Sequence, residues 1–193
     1  MRRRQTPPVL SLPLLGIPAL LLGLCILLHG TAQAGTVPKE GDVLPPLVIL
    51  APDQEADTAY LGIQGKGSFG IADIAGEVTL LEFIGVYCPF CHKQAPLFNM
   101  LRARLERAKL ADRVKMLAVA SGATPQEIDY LRQNSGYLFP VLRDQDFSVH
   151  AALGQPKTPF TMLVNREGTV LFTQVGVIED IDSLFQHIRE QLK

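Results

Sequence analysis

This chain of 193 residues has no tryptophan and only three cysteines. It also lacks a surplus of either charge, with 18 lysines and arginines against 19 aspartates and glutamates. Without a basic excess there is no footprint of a nucleic-acid partner. A hydrophobic content of 47% excludes a chain kept disordered by its polarity. Internal repeats and low-complexity tracts are absent too, which sets aside solenoids and arrays. A structural zinc site would need four ligands, and there is no second cysteine pair to supply them. His150 and His187 stand alone in helical segments, solvated or packed there. No metal site is expected, and the chemistry must come from few residues.

The N-terminus carries a targeting pattern. "MRRR" is a cationic start, Val9 to Leu28 is an almost unbroken apolar run, and "TAQAG" sets Ala32 and Ala34 in an A-x-A arrangement. These are the three parts of an export signal, with cleavage after Ala34, so residues 1–34 are read as a signal peptide. The alternative is an uncleaved anchor formed by residues 9–28, because the run approaches spanning length. Pro13 and Pro18 interrupt it, and Leu24 before Cys25 is not the small residue a lipoprotein signal requires. Cleavage would remove Cys25 and leave Cys88 and Cys91 in an oxidising, periplasmic compartment.

Residues 35–46 read as a linker, rich in Gly, Pro and charge, and residues 47–193 as one domain. "LVIL" and "TAYLGI" are predicted as short strands of an N-terminal β extension, separated by the turn-forming "APDQEAD". "VTLLEFIGVY" has the pattern of a strand buried on both faces. "APLFNMLRARLERAKL" places Leu97, Leu101, Leu105 and Ala108 on one side of an amphipathic helix. Strand "VKMLAVA" follows, then helix "TPQEIDYLRQNSG" with Thr124 as N-cap and Pro125 at the first position. "FPVLRD" is a strand, "DFSVHAALG" a short helix, "TPFTMLVNREGTVLFTQVG" a hairpin and "DIDSLFQHIREQL" a final helix with Asp180 or Asp182 near its cap. The order β-α-β-α-β-α-β-β-α predicts an α/β sandwich around a mixed sheet.

"CPFCH" at residues 88–92 admits three chemistries: a redox dithiol, half a zinc site, or a haem attachment sequence. A strand running into the motif and a helix leaving it favour the dithiol. Pro89 suits the first helical position, which puts Cys88 at the helix N-terminus, where free N–H groups and the dipole stabilise a thiolate. Cys91 falls one turn inside, at a separation that a disulfide bridges. Cys88 is therefore the expected nucleophile and Cys91 the shielded resolving thiol. A purely structural role is weaker, because a loop closed over two residues constrains the unfolded chain little. A haem reading would need His92 free to bind iron and a helical wrapping, whereas His92 is expected as a solvated residue of the first helical turn. Glu82 lies six positions before Cys88 in the buried strand. A carboxylate there is costly unless it is protonated, paired or functional; the alternative is an edge position reaching solvent or a lysine.

"LLEFIGVYCPFC", Pro96, "TPF" and "LVNREGTVL" together resemble the thioredoxin-like superfamily. The resemblance is strongest to membrane-associated or periplasmic thiol–disulfide oxidoreductases of the TlpA/ResA type, which share the redoxin domain with peroxiredoxins. It implies a thioredoxin-like sandwich, and it gives Glu82 a role in exchanging protons with the buried thiol. It also implies that the Thr158–Pro159 bond is cis and faces the dithiol, with the residue before the proline offering backbone hydrogen bonds to an extended substrate. A trans proline opening a strand would be the plain reading. Tyr87, Pro89 and Phe90 flank the cysteines and complete the expected substrate-binding set. Three departures stand out. Tyr87 replaces the usual tryptophan, Gln94 occupies the place where ResA-like reductases carry a functional glutamate, and Gly85 stands where peroxiredoxins need threonine.

The expected function is thiol–disulfide exchange with partner proteins bearing thiols or disulfides. A membrane protein is a possible source or acceptor of electrons, and no dissociable cofactor is implied. A non-catalytic thioredoxin-like binding module is the alternative, although such a module would have no chemical need for both cysteines.

Overall fold

A computed structural model describes residues 35–64 and 67–193. The signal-peptide reading and Cys25 lie outside the described residues.

The N-terminal part is a two-stranded antiparallel pair, β1 (Ile49–Leu50) and β2 (Ser68–Phe69), with helix α1 (Glu55–Leu61) between them. Here the prediction for "TAYLGI" is corrected, since Thr58 to Leu61 are helical. Glu55 and Asp57 in the first turn complement the positive end of the helix dipole. Gly62 closes the helix in the left-handed conformation, φ 66°, returning its N–H to Ala59 and Thr58. The second strand of the pair comes instead from the glycine-punctuated stretch that follows.

From Val78 onward the element order is as predicted. β3 (Val78–Gly85) leads into α2 (Pro89–Arg107), then β4 (Val114–Ser121), α3 (Pro125–Asn134), β5 (Val141–Asp144) and α4 (Ser148–Ala152). The hairpin β6 (Phe160–Asn165) and β7 (Val170–Val175) precedes the last helix, α5 (Ile181–Glu190). The sheet order is β5-β4-β3-β6-β7, with β3, β4 and β5 parallel and β6 antiparallel to both β3 and β7. This mixed sheet, covered by helices, is the thioredoxin-like arrangement.

Alternation along β3 divides the core. Val78, Leu80 and Ile84 pack with Phe98 and Leu101 of α2 and Leu184 and Ile188 of α5. Leu81 and Phe83 face the opposite layer, where Ile49, Leu61, Ile74, Val149 and Leu153 gather. Central position and parallel pairing explain why β3 is apolar on both faces and why its one carboxylate is exceptional. The stripe that α2 buries is Cys91, Ala95, Phe98, Leu101 and Leu105, with Leu97 half-buried at its margin. Residues 41–44 lie along the start of β7: Gly41 N–H donates to Val170 O, Val170 N–H to Asp42 O, and Val43 bridges Thr169.

Local caps position the loops around the site. Thr124 and Glu127 form a capping box at the start of α3, and Asp180 caps α5 through the Ser183 N–H.

Candidate active site

The C-terminal end of β3 delivers the chain to α2 through Val86 and Tyr87. Cys88 is the N-cap of α2 and Pro89 occupies its first turn. The backbone N–H of Cys91 donates to Cys88 Sγ at 3.3 Å, one of the orphan donors of the helix start turned onto the sulfur. Cys88 and Cys91 are joined as a disulfide with their Cα atoms 5.3 Å apart. Their surroundings differ sharply: Cys88 is half-buried, whereas Cys91 is 1% exposed and belongs to the core.

The Thr158–Pro159 peptide is cis. Thr158 O lies 3.6 Å from Cys88 Sγ, so a residue seventy positions away borders that sulfur. Gly85 lies between them. A Cβ there would stand 3.4 Å from Cys88 Cβ and 3.6 Å from Thr158 Oγ1, and glycine leaves that space open. Tyr87 and Phe90 are 77% and 62% exposed, and Pro89 is exposed as well. The Tyr87 hydroxyl donates to Glu127 Oε1 at 2.9 Å, tying the residue before Cys88 to α3. This bond pushes the Tyr87 phenol up and, with the Thr124 donors ahead of it, helps hold the Glu127 carboxyl low.

Glu82 is 1% exposed and, among the described residues, has no cation beside it, so the solvent-or-lysine alternative does not hold. It pairs across the sheet with Ala118 on one side and Thr161 on the other. Burial drives its carboxyl from 4.5 up to about 8, against a smaller downward pull from the Gln94 amide. The acid is therefore neutral near pH 7 in this disulfide form.

Gln94 is the site residue whose partnership sequence reasoning missed. It is fully buried, donates from Nε2 to Glu82 Oε1 at 2.9 Å and to Thr161 Oγ1 at 3.2 Å, and accepts from the Ile178 N–H at 2.8 Å. A signal was present: three residues after Cys91 places Gln94 on the same buried helix face, where an amide must find partners.

The expectation of a solvated His92 is also corrected. Its Nε2 lies 3.0 Å from Val86 O and its Nδ1 2.8 Å from Ser135 Oγ. A carbonyl only accepts, so Nε2 carries the proton and Nδ1 receives the serine hydroxyl. Helix α2 here packs against the segment after α3, which covers that first turn. His150 and His187 are half-buried on α4 and α5, with Nε2 on Pro156 O and Leu171 O respectively. Among the described residues, no cluster of His, Cys, Asp and Glu could hold a metal, and no helix is long and apolar enough to cross a membrane.

Residues 50–181 match the AhpC/TSA family. The thiol-disulfide oxidoreductase ResA of Halalkalibacterium halodurans is 24% identical over 126 residues, covering 65% of this chain and 69% of the relative. The sporulation thiol-disulfide oxidoreductase A of Bacillus subtilis is 27% identical over 172 residues, covering 87% and 92%. In fold, a crystal structure of a putative thiol:disulfide interchange protein DsbE from Chlorobium tepidum superposes with a TM-score of 0.62 at 23% identity, over 80% of this chain and 99% of that one.

Proposed function

The chain belongs to the AhpC/TSA family and is a thiol–disulfide oxidoreductase of the TlpA/ResA type, and on that premise we propose how its Cys88–Cys91 pair works. Cys88 is the nucleophile that forms the mixed disulfide with a partner protein, and Cys91 resolves it. The carrying observation is the asymmetry of the pair. Cys88 sits half-exposed on a helix N-terminus, with the Cys91 N–H on its sulfur, while Cys91 is shut in the core. Only the first can meet another protein's sulfur, and only the first has its thiolate favoured by the helix.

Glu82 is the proton acceptor and donor for Cys91. During resolution Cys91 S–H gives its proton to Glu82, and the thiolate attacks Cys88 Sγ. The bond to the partner breaks, and the partner leaves with both electrons as a thiolate. In the opposite direction an incoming thiolate attacks Cys88, and Cys91 departs taking the proton from Glu82. A carboxyl that is neutral in the disulfide form is the correct starting state for that donation. Thr158 O borders the sulfur, cis-Pro159 follows it, and Tyr87, Pro89 and Phe90 give the apolar rim on which the partner rests.

Partners are proteins carrying thiols or disulfides, with a membrane-bound dithiol protein as the electron source or sink. Residues 1–34 direct export to the periplasm, residues 35–46 link and lie along β7 at residues 41–44, and residues 47–193 form the working domain. Replacing Cys91 by Ser tests the roles: it should accumulate stable mixed disulfides through Cys88, whereas Cys88→Ser should not. Equal trapping by the two variants would refute the assignment.

A further inference from the structure

Gln94 is buried as deeply as any residue in the protein, yet it has three polar contacts and no part in the thiol chemistry itself. Which way its amide points follows from its neighbours. The Ile178 N–H can only donate, so the atom 2.8 Å from it is the carbonyl Oε1. The NH2 group is thereby turned toward Glu82 Oε1 and Thr161 Oγ1. The flipped amide would set two donors against each other at Ile178. One orientation survives.

That orientation marks the two carboxyl oxygens of Glu82 differently. Oε1 receives an N–H, and Oε2 is buried with no protein partner among the described residues. A proton on Oε1 would confront the Gln94 N–H, so the acid carries its proton on Oε2.

We infer that Gln94 is the positioning residue of the proton relay: anchored by the Ile178 N–H, it holds Glu82 Oε1 as a fixed acceptor, confines the exchangeable proton to Oε2 and keeps the site to one titrating carboxyl. This rests on the proton-transfer role proposed above for Glu82. One carboxyl exchanging one proton matches the single proton that Cys91 loses when its thiol becomes part of the disulfide. A glutamate at position 94 would bring a second carboxyl within hydrogen-bond distance of the first. The two would then titrate as a pair in separate steps.

The other groups around Glu82 do not supply that control. Cys91 lies one turn before Gln94 on α2, β4 offers Ala118, β6 offers Thr161, and the segment after α3 offers the Tyr137 phenol. Tyr137 donates to Cys91 O at 3.4 Å, and its own ionisation is pushed up, first by burial and then by Glu82. It stays neutral and cannot counter the carboxylate. Among the described residues, the Gln94 amide alone offsets burial at Glu82.

The test is the pH–rate profile of disulfide exchange with dithiothreitol, together with the midpoint potential as a function of pH. Wild type should show one inflection from Glu82, and Glu82→Gln should abolish it. Gln94→Met removes the donor at similar volume, and the inflection should move up by about one to two pH units, the worth of a hydrogen bond to a charged group. Gln94→Glu keeps an acceptor for Ile178 and should split the inflection into two flanking the original. The double variant Glu82→Gln with Gln94→Glu restores an acid–amide pair, and a single inflection should return. If Glu82→Gln leaves the profile unchanged, the relay reading and this inference both fall. If Glu82→Gln removes the inflection while Gln94→Met and Gln94→Glu reproduce wild type, only the role of Gln94 falls. Should Gln94→Met not fold, Gln94→Glu and the double variant decide.

Discussion

Replacing Glu82 by Gln should make the folded disulfide form less sensitive to alkali, by an amount the structure sets. The acid is held near 8 in the fold, against 4.5 in an exposed chain. Between those values the native state binds a proton that the unfolded state has released, so stability falls as pH rises. A raised folded value means that the contribution is fully present below 4.5, is lost progressively toward about 8, and changes no further above it. Each pH unit inside the window is worth about 1.4 kcal/mol. From about pH 5 to about pH 8 the wild type should therefore lose roughly 3–4 kcal/mol that the glutamine variant keeps. The substitution also leaves an amide NH2 where Oε2 was, without a protein partner, at a cost of about 1–3 kcal/mol. That cost does not vary with pH, so the slope isolates the titration. Urea unfolding of the oxidised proteins at several pH values would measure it, with other titrating groups cancelling in the difference. Parallel stability curves, their difference constant within about 1 kcal/mol across the range, would refute the buried-acid argument.

The exposed aromatics should matter for protein partners only. Tyr87→Ala and Phe90→Ala should each lower kcat/KM for a protein substrate by about tenfold, the scale of an apolar side chain buried on contact. Turnover of dithiothreitol should be unchanged, and equal losses with both substrates would instead implicate the dithiol geometry. Expressed at native levels alongside haem-attachment machinery, the protein should purify colourless, with both thiols alkylatable after reduction. A stoichiometric Soret band with two thioether links would overturn the oxidoreductase reading and make His92 an iron ligand.

The run of elements from Val78 to Glu190 was legible because each carried its own punctuation. A doubly apolar strand, Thr124 before Pro125, and Asp180 before an amphipathic repeat are local signals, and local signals suffice for element order. Helix α1 was missed because seven residues are too few to display a helical period, and "PDQEAD" resembles a turn as much as a helix start. The cysteines and Glu82 could be named in advance from their places in the sequence, and the Thr158–Pro159 pair from the family resemblance. The contacts of Gln94 could not, because Glu82, Thr161 and Ile178 come from three separate elements that only the folded sheet brings together. His92 shows the same limit: its environment depends on Ser135, forty-three residues later.

That later segment explains why "CPFCH" works as a dithiol in this fold. Residues 135–138 are fastened to α2 along its first three turns. Ser135 Oγ meets His92 Nδ1, the Tyr137 hydroxyl donates to Cys91 O, and Asn99 both donates to Gly136 O and accepts from Leu138 N–H. On the other side His92 Nε2 is spent on Val86 O, so both ring nitrogens are engaged and neither is free for a metal. Cys91 lies on the buried face of the helix while Cys88 stays at its tip. Thioether attachment would require both sulfurs to reach one porphyrin, and these contacts would have to break first. Disulfide exchange requires the opposite, one sulfur within reach of a partner and the other held back to resolve. The motif is shared between the two chemistries, and in the folded protein the engaged His92 and the buried Cys91 suit it to disulfide exchange.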